Sequence, residues 1–193
     1  MANKLWDKGF KEDERIDAFT VGNDRELDHE LAPYDIMGTM AHITMLESVG
    51  LLSKEDLDKL LPVLKELYSS ACKGELYVEE DVEDIHSQIE LMLTRRLGDV
   101  GKKVHTGRSR DDQVLVDLKL YARAEIENTV HKVESLFNTL QEASERYKDV
   151  LIPGYTHLQV AMPSSFGLWF GAYAESLCDD LSIMKAAWDV VNL

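Results

Sequence analysis

The sequence predicts an all-α protein, and three observations carry that prediction. Its 193 residues include only four Pro and 11 Gly, which leaves long stretches free of helix breakers. Apolar residues recur at steps of three and four along most of the chain. The period-two alternation that marks half-buried strands is hardly visible. The expected layout is a small helical N-terminal domain over 1–105, followed by long antiparallel helices of a central bundle over 106–193.

In chain order, Ile36, Met40, Ile43 and Leu46 predict a helix over 35–49 that Gly50 ends. Met37, Met40 and Met45 sit at helical spacing and read as core filling. Ser53 with Asp56 three residues on resembles a capping box ahead of Leu57, Leu60, Leu61 and Leu64. Pro62 should break that stretch into two short helices. The segment 79–97 opens with acids and closes with Arg95 and Arg96 before Gly98, matching both ends of a helix dipole, with Val82, Ile85, Ile89, Leu93 and Leu97 as its stripe.

Two longer elements follow. Leu115, Leu118, Ala122, Ile126, Val130, Val133, Phe137, Leu140, Ser144 and Tyr147 keep helical steps from 112 to 147, a rod of more than roughly 50 Å at about 1.5 Å per residue. After a Pro/Gly-punctuated loop, Phe166, Phe170, Tyr173, Leu177, Leu181, Met184, Trp188 and Val191 repeat the pattern over 164–191, with Pro163 at its start. Two antiparallel rods carry more apolar stripe than they can bury in each other, so they call for partner helices.

Composition excludes several function classes. With 21 Lys+Arg against 36 Asp+Glu the net charge is −15, a field that repels nucleic-acid phosphates and anionic lipid, so neither nucleic acid nor membrane is an expected partner. Hydrophobic residues at 45% and charged ones at 30% suffice for a sizeable core. Cys72 and Cys178 lie outside any CxxC or Cys/His spacing, which argues against a disulfide scaffold or a structural zinc. The charged N-terminus lacks a signal-peptide core, and the most apolar window, 166–174, is far shorter than the roughly 18 residues of a membrane span. A cytoplasmic protein is expected.

Polar residues that do not fit the stripes gather in three stretches: Thr20–Arg25 with Asp28, His105–Gln113 (HTGRSRDDQ), and Pro153–Gln159 (PGYTHLQ). In the second, Gly107 permits a tight backbone, Ser109 can cap a helix, and Arg108 and Arg110 present guanidinium forks at a helix N-terminus, a setting for a carboxylate or phosphate. Equally, those arginines can pair with neighbouring acids. In the third, His157 lies between Thr156 and Leu158, a loop setting suited to proton exchange near neutral pH. His86 and Glu90 sit at i, i+4, but HExxH is absent and no third ligand is evident, so no metal is expected. There is no P-loop, no GxGxxG and no serine nucleophile elbow.

Taken together, HTGRSRDDQ, the downstream PGYTHLQ, the upstream DVEDIHSQIE and the initial KLWDKGF closely resemble the argininosuccinate lyase family of the aspartase/fumarase superfamily, in order and over essentially the whole chain. The resemblance implies an aspartase/fumarase-like helical bundle, a homotetramer without metal or organic cofactor, and active sites built from three subunits. It implies reversible β-elimination of argininosuccinate to arginine and fumarate. It places His157 and Thr156 as the catalytic pair, with His157 as general acid or relay, and Arg108, Ser109 and Arg110 as donors to the substrate carboxylates. His86 matches the family's helix histidine near the site, and Gln159 stands behind the pair.

Two departures stand out. Asp111 occupies the position of a family Asn that contacts substrate, and Asn23 and Asp24 stand where the family has an Asn-Ala-Ser loop, Asn23 being a possible replacement contact. The family's flexible Gly-Ser-Ser-x-Met-Pro-x-Lys-x-Asn loop, with the favoured serine base, has no counterpart; MPSSFG at 162–167 lacks its Lys and Asn and falls at an expected helix start. The chain therefore reads as the N-terminal part of a lyase, inactive by itself. The alternative is a catalytically inactive, crystallin-like assembly protein of the same fold. A sister lyase for adenylosuccinate or aspartate is disfavoured by KLW and HTGRSR.

Overall fold

The computed structural model describes residues 13–193, without the side chains of Glu14 and Asp17, so the KLWDKGF segment lies outside the described residues. The chain divides into two compact units, one running to Tyr121 and the other starting at Ala122, whereas the sequence places the domain boundary near 105.

The first unit contains α1 (Glu14–Val21), α2 (Asp24–Leu27), a 3-10 turn (Asp28–Glu30), α3 (Ala32–Ser48), α4 (Lys54–Cys72), α5 (Ile85–Leu97), α6 (Asp99–Lys102) and a second 3-10 turn (Lys103–His105). It closes with the first part of α7 (Arg110–Arg146). Ile36, Ile43 and Leu46 of α3, Leu57, Leu60, Leu64 and Leu67 of α4, and Ile85, Ile89 and Leu93 of α5 form its buried core. All but Leu67 are periodic positions read from the sequence; Leu64 and Leu67 carry the stripe past Pro62, and Met40, Leu61 and Leu97 are only partly buried against it.

Pro62 does not break its helix: α4 runs unbroken through it. A helix-interior proline costs about 3 kcal/mol. Pro62 is exposed, so water can satisfy the carbonyl that loses its N–H, while a continuous buried leucine stripe on the opposite face outweighs the loss. The Ser53 cap is formed, the Asp56 N–H donating to Ser53 Oγ at 3.1 Å. Gly50 follows α3 at φ 77°, a conformation glycine adopts without Cβ strain. The segment expected to be helical from 79 begins six residues later. Asp84 takes extended backbone and accepts the Ser87 N–H at 2.7 Å, so it caps α5 rather than continuing upstream.

The second unit holds the rest of α7, strands β1 (Leu151–Thr156) and β2 (Gln159–Ser165), and α8 (Phe166–Val191). The stretch expected as a loop is an antiparallel hairpin, with Thr156 opposite Gln159 and Pro153 opposite Pro163. Pro163 therefore lies in β2 rather than at a helix start. Ser165 caps α8 instead, accepting the Leu168 N–H at 3.1 Å, and MPSS belongs to the strand. The two prolines conceal the strands from pattern reading because neither donates to a ladder, which a two-stranded ribbon tolerates.

In this unit α8 returns along α7. Ser144 Oγ donates to the Gly167 carbonyl at 2.7 Å, and Trp188 Nε1 donates to Glu127 at 3.3 Å. Leu136, Leu168, Trp169, Tyr173, Ile183 and Val190 stay exposed, the surplus apolar surface that the helical spacing implied. No helix among the described residues is long and apolar enough to cross a membrane.

Candidate functional site

The N-terminus of α5 gathers the upstream polar stretches. Asp28 accepts the Ile85 N–H at 3.2 Å, and Arg25 Nε donates to the Val82 carbonyl at 2.8 Å, tying the Thr20–Asp28 segment to this point. Burial pushes the Asp28 carboxyl above its usual range despite that backbone donor. Asn23 and Asp24 are exposed at the start of α2, where the Asn23 carbonyl accepts the N–H groups of Glu26 and Leu27.

The HTGRSRDDQ stretch arrives from the other side. Gly107, at φ 68°, turns the chain. Ser109 and Asp112 then cap α7 reciprocally: Asp112 accepts the Ser109 N–H at 3.0 Å, and Ser109 Oγ accepts the Asp111 N–H at 3.2 Å. Asp111 itself is exposed on the first turn of α7.

Arg110 pairs with Asp84 and donates to Ser87 Oγ at 3.2 Å, so the cap of α5 is also the anchor of this arginine. Arg108 donates to Thr39 Oγ1 at 3.2 Å, and its buried Nε has no partner among the described residues. Burial lowers the Arg108 pKa, although Asp35, Asp117 and Glu90 oppose this, so its cation is held by surrounding charge rather than by a full set of hydrogen bonds.

Beneath these loops lies a buried polar group of which the sequence reading names only His86. Asp35 on α3 and Asp117 on α7 are 0% and 1% exposed, and His86 on α5 stands between them. Asp35 accepts from His86 Nδ1 and Gln113 Nε2 at one oxygen and from Thr39 Oγ1 at 3.4 Å at the other. Burial alone would lower the His86 pKa; the hydrogen bond and charge of Asp35, with Asp84 and Asp117, outweigh it and raise the value.

Donor atoms of Asp35, His86 and Asp117 all lie within 4.8 Å of one another. They do not present a free cation site: His86 Nδ1 and Asp35 are bonded to each other, Gln113 donates into the same carboxylate, and the Arg108 charge already acts on both aspartates. A signal existed for Asp117, which shares a helix face with Gln113, one turn back, in a run otherwise read only for its leucines.

His86, Arg108 and Arg110 line one small cavity together with Gln113 and Thr39. A larger one, of about 320 Å³, shares Arg108 and Gln113 with it and lies against Gly38, His42, Met45 and Val116. His105 lines the small cavity, and burial, then the charges of Arg108 and Arg110, push its pKa down, so it stands there neutral near pH 7.

Thr156, His157 and Gln159 belong to the second unit. His157 and Leu158 form the two-residue tip of the hairpin at φ 49° and 63°. Two consecutive positive φ values define the turn type that suits hairpin twist but normally takes Asn-Gly. A leucine there, 98% exposed, is poorly chosen for stability in this unit.

Comparison with known proteins gives a consistent answer. The family model described as Lyase matches residues 8–193. The argininosuccinate lyase of Parabacteroides distasonis is 64% identical over 192 residues, covering 100% of this chain and 43% of that protein. That of Bacteroides fragilis is 63% identical over the same shares. The Thermotoga neapolitana enzyme of that name is 38% identical, with 100% of this chain matching 48% of it. The chain thus spans less than half the length of these curated relatives. Among solved structures, EDDS lyase in complex with formate superposes with a TM-score of 0.72 over 96% of this chain and 36% of its own, at 24% identity. A fumarate lyase:delta crystallin from Brucella melitensis gives 0.71 over 91% and 45%, at 14% identity. At those identities the likeness is one of fold.

Proposed function

The chain belongs to the lyase family, and from that premise we propose that the protein carrying it is an argininosuccinate lyase, which reversibly eliminates fumarate from argininosuccinate and leaves arginine. The carrying observation is identity of 62–64% to proteins of that name along the entire chain.

The reaction removes a proton from the carbon next to a substrate carboxylate, giving a dianionic aci-carboxylate. Its collapse breaks the C–N bond, and the departing guanidino nitrogen takes up a proton. Two demands follow: donors must stabilise the added negative charge, and an acid must meet the leaving nitrogen. We assign the acid, or the relay that supplies it, to His157, with Thr156 beside it on β1 and Gln159 opposite on β2. Ser109, Arg108, Arg110 and His86 are assigned to the carboxylate side, and Asn23 and Asp24 to substrate contacts from the α2 loop. Arg110 supports this reading because its guanidinium is pre-oriented by Asp84 and Ser87. The proton acceptor lies outside the residues assigned here.

Asp111 is the one assignment with the wrong sign for an anionic substrate. Asp111→Asn in the full-length protein should lower KM for argininosuccinate by about three- to tenfold, as expected for removing one exposed like charge at a few ångströms. Steady-state kinetics at low and high salt check this, and an unchanged KM at low salt would place Asp111 away from substrate.

The exposed apolar stripes of α7 and α8 support assembly, and we assign a cytosolic homotetramer, which sedimentation of the full-length protein tests. The substrate assignment is tested by supplying argininosuccinate, adenylosuccinate and aspartate separately: fumarate release from the first alone is expected, and preference for either other substrate would overturn it.

A further inference from the structure

We propose that Asp117 is a positioning residue that shares a single proton with Asp35, and that this acid pair holds His86 by its Nδ1 so that Nε2 is left for the cavity lined by Arg108 and Arg110. The catalytic consequence rests on the lyase reading above; the shared proton does not.

The geometry carries the argument. Asp117 is buried, and neither of its carboxyl oxygens has a hydrogen-bond donor among the described residues. A carboxylate cannot stay ionised there without one. The groups facing it from the elements packed against it are Asp35 from α3, His86 from α5 and Arg108 from the loop before α7. Gly38 packs α3 against this carboxyl, 3.5 Å separating the position of a Cβ there from Asp117 Oδ1, an ordinary van der Waals contact. His86 Nδ1 lies 3.5 Å from Asp117 but is already bonded to Asp35, and Arg108 spends its NH2 on Thr39.

Asp35, by contrast, collects three donors. A proton on Asp117 resolves the imbalance by turning an orphan acceptor into a donor that points at the neighbouring carboxylate, as in other carboxyl pairs that cannot both ionise. Burial first, and then the charge of Asp35, push Asp117 up to about 8, with His86 and Arg108 pulling the other way. The ring of His86 makes no hydrogen bond through Nε2 among the described residues. Both aspartates thus face the Nδ1 side of the ring.

The sign of the pH effect follows. An unfolded aspartate loses its proton near 3.8, whereas the folded Asp117 keeps it to about pH 8, so Asp117 makes folding progressively less favourable as pH rises between those values. His86 acts in the same direction, since its folded pKa is raised: its contribution is full below about 6.5 and is lost as pH rises through the folded value. Above pH 8, ionised Asp117 stands as a second anion against Asp35, and the repulsion between the two carboxylates loosens the clamp.

The test uses the full-length protein with Asp117→Asn, which keeps the shape and a donor toward Asp35 but cannot ionise, and Asp117→Leu, which has neither donor nor charge. Two profiles are recorded from pH 5.5 to 9.5: kcat/KM for argininosuccinate, and the urea midpoint of unfolding. Asp117→Asn should move the alkaline limb of kcat/KM upward by about one pH unit or more and flatten the fall of the urea midpoint. Asp117→Leu should lower kcat about tenfold or more while KM changes less. Superimposable wild-type and Asn profiles in both measurements would overturn the proposal. If the wild type releases no fumarate, the lyase reading fails, and the urea profile alone still decides whether Asp117 holds the proton.

Discussion

Replacing His157 with Asn in the full-length protein is expected to lower kcat for fumarate release by about 10²–10⁴-fold, the range that a positioned general acid supplies, with a smaller change in KM. Asn is the appropriate replacement because it tolerates positive φ, so the two-residue turn survives and only the titrating ring is lost. The companion variant Leu158→Gly separates fold from chemistry. It relieves the strain of a leucine at φ 63° and should preserve turnover while leaving hairpin stability equal or higher. Equal damage from the two changes would mean that the tip acts as a docking surface and not through the imidazole. A His157→Asn enzyme within threefold of wild type would remove the acid from our mechanism.

Gly101→Val should cost the first unit about 3 kcal/mol or more. Gly101 is buried in α6, and a Cβ there would meet the Leu93 carbonyl carbon at 2.5 Å, its oxygen at 2.6 Å and the Thr94 nitrogen at 2.6 Å. These are backbone atoms of the last turns of α5, which cannot rotate away as a side chain would, so the strain falls at or above the upper end of ordinary overpacking. The effect extends beyond stability, because α6 leads through Lys103–His105 into Arg108 and Arg110, and separating α6 from α5 shifts both arginines. Urea unfolding followed by circular dichroism checks the first effect. A loss under about 0.5 kcal/mol would show that α6 moves freely on α5.

The core helices α3, α4 and α5 were legible because each buries one apolar stripe. Leu57, Leu60 and Leu64, or Ile85, Ile89 and Leu93, announce their period without reference to the rest of the fold. Pro62 conceals the continuity of α4 because its local propensity is outweighed by a continuous buried face. The hairpin was hidden for the opposite reason: its strands are exposed and contain Pro153 and Pro163, so they carry neither alternation nor the usual composition, and their turn uses His-Leu where Asn-Gly would have given a signal.

At the site, the arginines, Ser109 and the histidines were visible as polar residues outside any stripe. Asp35 and Asp117 were not, because Asp35 sits on the buried face of α3 and Asp117 on a polar face of α7 with Gln113, and the partners of both come from other helices. No single-sequence periodicity records such a partner; only the packing of α3, α5 and α7 brings the three side chains together. Asp84 belongs to the acids that open segment 79–97; it caps α5 locally, and its hold on Arg110 appears only when the chain returns 26 residues later.

The elimination itself is tested by the joint yield of both products from argininosuccinate by the purified full-length protein, with fumarate read by its absorbance and arginine quantified in the same samples. One fumarate is expected for each arginine, with a shared approach to equilibrium from either side and loss of both products together in His157→Asn. Fumarate without stoichiometric arginine, or no product from a folded protein, would contradict it.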